Sequence, residues 1–326
     1  MILHWHAAGL AKWLETVVQI RSRGLTYRLL KRVDLSIVLS NYNRADAEKL
    51  FARQIKVVGN GIPDPCPEFA TQVLPRRKAR VGARKKLLAG GSLTAADLAN
   101  TGGDPHLFRV LYLAHCTREK GLFDTLDAVA LANARLASAN SPIRLHLSVA
   151  GEFMNAAEQR EFERRVAGAD LELPEAFVPA QAADMAQARA RSGVRYLGFI
   201  SGEEKKRVLA ESDCFCFPTY YYAESFGLVV IEAMAFGSPV IATRWRSIPE
   251  LLPTNYGGLV DIRRPDQITD ALLRQPGQDA GEELRAIYLR RFSMERHLSA
   301  LAEAFRSTEQ PPASLLPELA PSPSSG

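Results

Sequence analysis

Short apolar runs alternate with helix-like patterns along most of this 326-residue chain, and that alternation is the tightest limit on how it folds. Ile37-Val38-Leu39 reads as a strand, 44–53 as a helix and Ile55-Lys56-Val57-Val58 as a second strand. Asn60-Gly61-Ile62-Pro63 then turns the chain. Strand–helix units resume at Val110-Leu111-Tyr112-Leu113 and continue as helix 120–138, strand 143–149, helix 155–167, strand 195–199 and helix 203–211. Strand 214–217, helix 226–236 and strand 239–242 follow, and helices from about 266 to 306 close the fold. Alternation of this kind predicts α/β architecture with parallel sheets. The length is enough for two domains of ordinary size.

The apolar fraction of 47% and the charged fraction of 24% are those of a globular protein. No stretch approaches 18 uncharged apolar residues, and Met1-Ile2-Leu3-His4-Trp5-His6 lacks the charged start and apolar core of a signal peptide. Cys66, Cys116, Cys214 and Cys216 are too few for a disulfide framework in a chain this long. Cys214 and Cys216 alternate on an apolar strand, which reads as packing rather than metal binding. A cytoplasmic protein is expected. The net charge of +5 has a local source, because Arg76, Arg77, Lys78, Arg80, Arg84, Lys85 and Lys86 lie together without an acid. The remainder is slightly acidic, so a nucleic-acid partner is not expected. The basic run has two readings, a solvated mobile insertion or a peripheral contact with anionic lipid headgroups at the inner face of a membrane. Residues 311–326 carry five prolines and four serines and are expected to be disordered.

The chemistry concentrates at 224–243. Glu224 and Glu232 stand eight residues apart, with Ser225-Phe226-Gly227 after the first and a tyrosine-rich loop (Tyr220, Tyr221, Tyr222) before it. Ser225 reads as the N-cap of a helix running to about Ala235. Eight helical positions span roughly 12 Å. That is the reach from a ribose across a diphosphate to a hexose. Free amides near Phe226, Gly227 and Leu228 would face phosphate oxygens, and Gly227 has no side chain to block them. One helix start thus suits both ends and the middle of a nucleotide sugar.

The segment from Glu224 to Glu232, continued through Gly237-Ser238-Pro239-Val240-Ile241-Ala242-Thr243 and Ile248-Pro249-Glu250, resembles the E-x7-E motif of retaining GT-B glycosyltransferases of the family 4 (group 1) type. The resemblance runs from about residue 4 to 306, with gaps near 66–107 and 168–193, and is strongest in the C-terminal half. It implies two Rossmann-like parallel-sheet domains facing a cleft. The expected division is a partial N-terminal, acceptor-side domain over 1–65, a basic linker or insertion over 66–107, a nucleotide-sugar domain over 108–290, a crossover helix over 291–310 and the tail. Asn60 and Gly61 resemble the family's hinge. About sixty residues precede them, and the family's early glycine loop has no counterpart. The expectation is an N-terminally truncated chain, or an acceptor half supplied by a partner.

By the same resemblance, Glu224 faces the hydroxyls of the transferred sugar, Glu232 accepts from the ribose hydroxyls, and Gly198 lies beside the base. Lys120, just before Gly121 at a strand-to-helix loop, would neutralise the diphosphate leaving group in place of a metal. No metal and no resident cofactor are expected. The family's arginine five positions before Lys120 is His115 here, and Arg118 is the candidate to replace it. His4 and His6 would approach the cleft by position. The implied activity is transfer of a hexose from a nucleoside-diphosphate sugar to a hydroxyl of a glycan or lipid-linked acceptor, with retention. The alternative is a non-catalytic, donor-binding protein that acts with a partner.

Overall fold

The computed structural model describes residues 2–4, 33–49, 52–168, 193–278 and 281–308. Trp5, His6, the 311–326 tail and most of the 168–193 gap lie outside the described residues. Among the described residues the strands form two all-parallel sheets. The smaller has the order β1 (Ile2–His4), β2 (Leu35–Val38), β3 (Gln54–Val57). The expected helix after β2 is Arg44–Lys49, preceded by a 3₁₀ turn at Asn41–Asn43.

The larger sheet is built from β4 (Leu107–Leu113), β5 (Arg144–Ala150), β6 (Val194–Gly198), β7 (Cys214–Phe217), β8 (Val240–Thr243) and β9 (Leu259–Val260). Its order is β6-β5-β4-β7-β8-β9. The chain therefore winds outward from β4 to one edge, crosses back, and winds outward again from β7. That is the doubly wound order, and the two halves part between β4 and β7.

Alternation along the strands builds a core on each face. On β4 and β7, Val110, Tyr112, Cys214 and Cys216 enter one core with the Leu122–Ser138 and Pro265–Arg274 helices. Leu111, Leu113, Phe215 and Phe217 enter the other, with the Gly202–Glu211, Leu228–Ala235 and Gly281–Arg291 helices. The two strand cysteines are packing residues, as their alternation implied. Burial pushes the Cys66, Cys116 and Cys216 thiols up to about 12, so none of these three is a thiolate nucleophile near neutral pH.

The 66–107 stretch is not a solvated, mobile segment throughout. Its centre is the Leu74–Leu88 helix, packed beside the larger sheet. Arg77, Arg80 and Arg84 recur at helical spacing and are buried. Arg77 donates to the carbonyls of Phe236 (2.6 Å) and Ser212 (3.2 Å). Arg80 Nε lies 2.7 Å and Arg84 Nη2 2.5 Å from opposite oxygens of the Asp213 carboxylate. Arg80 also donates to Thr101 O, and Arg84 to Pro105 O and Leu107 O. Of the exposed members, Lys78 pairs with Glu282 and Lys86 with Asp97. Arg76 and Lys85 also stay at the surface. The arginines tolerate burial because their guanidinium groups find a carboxylate and main-chain carbonyls in one place.

The two sheets are joined where the chain crosses twice. Ile62 N donates to Phe292 O at 3.0 Å, and Met294 N to Ile62 O at 2.9 Å. Gly61 has no alternative there, since a Cβ would stand 2.8 Å from Ser293 O. The Met294–Arg306 helix then returns to the smaller sheet, placing Ala304 against Leu35, Ile37 and Val58. Asn60 and Gly61 lie beside this crossing, and the Met294–Arg306 helix falls within the 291–310 range read from the sequence. Glu250 ties the halves together a second time. Its carboxylate accepts from the Asn41 and Tyr42 amides, both at 2.8 Å.

Candidate active site

The loops after β4 and β7 leave the sheet side by side at its switch point, where open α/β sheets hold their ligands. The β4 loop ends in a 3₁₀ turn, Arg118–Lys120, followed by Gly121 in the left-handed region and the Leu122–Ser138 helix. The β7 loop carries Tyr220, Tyr221, Tyr222 and Glu224 into the Leu228–Ala235 helix. Tyr220 N donates to Glu119 O at 2.8 Å and so holds the two loops together.

Lys120 and Glu224 meet across this seam. Lys120 Nζ is 2.7 Å from Glu224 Oε2, with side-chain exposures of 16% and 9%. The ammonium also sits 4.6 Å from the centre of the Tyr221 ring. A sheltered cation and carboxylate thus face each other at the sheet's switch point. Solvent is too scarce there to screen them strongly.

The helix begins later than the sequence indicates. Ser225 is not its cap: the helix runs Leu228–Ala235, and Gly227 is the N-cap at φ 84°, with no side chain capping the amides. The physical reason lies in the neighbours. Phe226 is buried and packs edge-on against Phe292. Ser247 Oγ donates to Ser225 O, so that segment is pinned outside the helix. Within the first helical turn Val230 N donates to Gly227 O at 2.9 Å, and no side chain caps the amides of Leu228 and Val229 before it. A Cβ on Gly227 would stand 2.5 Å from Ile248 Cδ1, at a φ that other residues avoid. Gly227→Ala is therefore expected to cost at least about 1–2 kcal/mol of stability. It is also expected to weaken nucleotide binding, and thermal unfolding beside calorimetry measures both.

Glu232 lies one helical stretch on. Its Oε1 is 2.7 Å from Lys205 Nζ, while Oε2 is enclosed and has no hydrogen-bond partner. A carboxylate oxygen without a donor carries unspent acceptor capacity. Gly198, at the end of β6, adopts φ 67° and has open space where a Cβ would project. Tyr196, two residues earlier, joins Phe153 and Phe162 in an aromatic group at the same sheet edge.

Arg118 does not point at Glu224 beside Lys120 in this structure. It turns away to Glu161, Nη2 to Oε2 at 2.5 Å, and lies over the Phe123 ring. That hydrogen bond, outweighing a small burial effect, holds the Glu161 carboxyl below its usual range. His115 is exposed, so it is not a core histidine. His4 lies on β1 of the smaller sheet, while His6 falls outside the described residues. Among the described residues no group of three or more His, Cys, Asp or Glu side chains is arranged to hold a metal ion. Nor is any described helix long and apolar enough to cross a membrane.

Lys205 is the residue that sequence reasoning missed. It sits among Glu203, Glu204 and Lys206 on a charged helix start and carries no local signal. Only the path of the Gly202–Glu211 helix back across the sheet brings it to Glu232.

Comparison with known proteins agrees with this geometry. Residues 108–275 match the family described as glycosyl transferases group 1. Over 70 residues the chain is 41% identical to a phosphatidyl-myo-inositol mannosyltransferase of Propionibacterium freudenreichii, covering 22% of this chain and 18% of that protein. Over 125 residues it is 35% identical to a D-inositol 3-phosphate glycosyltransferase of Corynebacterium jeikeium, covering 37% and 29% respectively. These matches span less than a third of either relative. The fold resembles that of Anabaena Alr3699/HepE solved with UDP and glucose, at a TM-score of 0.60 and 17% identity, over 94% of this chain and 71% of that one. It also resembles sucrose-phosphate synthase from Thermosynechococcus elongatus, at a TM-score of 0.57 and 19% identity, over 94% and 67% respectively. The architecture is that of the GT-B glycosyltransferases.

Proposed function

Because the chain belongs to the group 1 glycosyl transferases, we propose that it moves a hexose from a nucleoside-diphosphate sugar to a hydroxyl of a glycan or lipid-linked acceptor. The observation that carries this reading is the uncapped helix start at Gly227–Leu228, with the Lys120–Glu224 pair before it and Glu232 one stretch beyond. The first-turn amides suit a diphosphate. Glu224 suits the hydroxyls of the transferred sugar, and Glu232 suits the ribose. Of its structural neighbours, HepE was solved with UDP-glucose, and the curated relatives include mannosyltransferases. Both are hexose chemistry.

In this reading Lys120 stabilises the charge that grows on the departing diphosphate, while the helix amides hold its oxygens. The acceptor hydroxyl approaches from the side of the smaller sheet. With retention, attack comes on the face that the diphosphate leaves, and the departing phosphate oxygen takes the acceptor proton. The new glycosidic bond forms as the C1–phosphate bond breaks, and the nucleoside diphosphate departs carrying the pair.

Calorimetry with uridine and guanosine diphosphates, and with their sugar conjugates, tests the donor assignment. Glu232→Ala is expected to weaken whichever nucleotide the parent binds by roughly 1.5–3 kcal/mol, the worth of hydrogen bonds to a charged acceptor. Unchanged affinity in that variant would remove the ribose assignment.

A further inference from the structure

We propose that Lys205 is a positioning residue for ribose recognition: it holds the Glu232 carboxylate in the orientation that reads the ribose hydroxyls. The inference rests on the reading of Glu232 given above and adds to it a residue from a different element.

Three observations carry it. The first is contact. Lys205 Nζ lies 2.7 Å from Glu232 Oε1, with side-chain exposures of 28% and 22%. Both groups are sheltered, so the pairing is stronger than at an open surface. The second is the state of the other oxygen. Glu232 Oε2 is enclosed and unbonded, so Lys205 has taken one end of the carboxylate and left the other uncommitted. The enclosed Oε2 is out of a ligand's reach in this arrangement, so the lone pair left on Oε1 beside Lys205 is the acceptor offered to a ribose hydroxyl.

The third observation is topological. The Gly202–Glu211 helix is the crossing between the two halves of the doubly wound sheet, running from β6 to β7. Its start follows Gly198, whose open left-handed turn lies at the same sheet edge. Its Val208 and Leu209 pack in the same core as Val230 and Ile231 of the Glu232 helix. Lys205 is thus mounted on a rigid element seated against the element it steers. Glu232 has three rotatable side-chain bonds of its own, and Lys205 is the ion-pair partner that fixes its tip. Without Lys205 the carboxylate is free to leave the diol-reading orientation, and preference for the ribose hydroxyls falls with it.

The test compares uridine and guanosine 5′-diphosphates with their 2′-deoxy and 3′-deoxy counterparts by calorimetry, on the full chain and on Lys205→Met, Lys205→Arg and Glu232→Gln. The parent is expected to favour a ribonucleotide over at least one deoxy counterpart by about tenfold or more. Glu232→Gln and Lys205→Met are both expected to bring that ratio to within about threefold, and Lys205→Arg to restore most of it. A merely structural lysine would change all affinities together and leave the ratio intact. If Glu232→Gln loses the preference while Lys205→Met keeps it, the inference fails and the ribose reading stands. If Lys205→Met weakens ribo and deoxy forms alike, the positioning role is likewise overturned. If the parent shows no preference, or binds none of these nucleotides, the ribose reading fails and takes the inference with it.

Discussion

Replacing Asp213 by alanine is expected to lower the free energy of unfolding by about 3–5 kcal/mol, the cost of stripping a buried pair of its partner. The carboxylate faces Arg80 on one oxygen and Arg84 on the other, at 2.7 and 2.5 Å, with all three side chains at most 2% exposed. It also accepts from the Arg109 amide at 3.0 Å. Without it, two guanidinium groups stay buried with main-chain carbonyls only. Urea and thermal unfolding measure the loss, and a change below about 1 kcal/mol would show that those carbonyls suffice. A pH series gives an independent check. Burial pushes the Asp213 carboxyl up, but Arg80, Arg84 and Arg109 outweigh it and hold the group far below the usual aspartate range. A depressed folded value means that the stabilisation is complete above the unfolded value, near about pH 4, and is lost as pH falls below it. The stability gap between parent and Asp213→Asn is therefore expected to stay constant from neutral pH to about 4 and to shrink below that.

Lys120→Ala is expected to cut transfer by about 10²–10³-fold, the cost of removing one preorganised charge aimed at a developing anion. Stability is expected to fall far less, by about 1–3 kcal/mol, since the loss is limited to the Glu224 contact at 2.7 Å and the ring contacts of the ammonium. Release of nucleoside diphosphate from the matching nucleotide sugar, read beside the melting temperature, separates the two effects. A collapse in melting temperature with the residual rate per folded molecule unchanged would make Lys120 a structural residue. The aromatic rings of Tyr221 and Phe217 near the ammonium, at 4.6 and 5.6 Å, are part of its support.

Much of this was legible in the chain, because local patterns are read locally. The strand and helix periods located the units of the larger sheet, and Cys214-Phe215-Cys216-Phe217 showed its two faces before any topology was known. The register from Glu224 to Thr243 marked the helix, the glycine before it and both glutamates. Asn60-Gly61 marked the junction between the sheets, where a close main-chain approach leaves no room for a Cβ.

What tertiary structure decided were the partners, and partners lie far apart in sequence. Charge counting treated residues 76–86 as a surface feature, yet the fold sends Arg77, Arg80 and Arg84 inward, because Asp213 and the Ser212 and Phe236 carbonyls wait more than a hundred residues away and the Thr101, Pro105 and Leu107 carbonyls stand 21–23 residues on. Their helical spacing beside Val73 and Leu87 was the available sign of a buried face, and net charge obscured it. Ser225 had the right chemistry for a cap, but the burial of Phe226 moved the helix start to Gly227. Arg118 was close to Lys120 in sequence and was drawn off by Glu161, whereas Lys205 had no signal and was carried to Glu232 by the crossing of the sheet. A residue's type and its near neighbours settle what it is able to do; which charge it meets depends on the packing of distant elements.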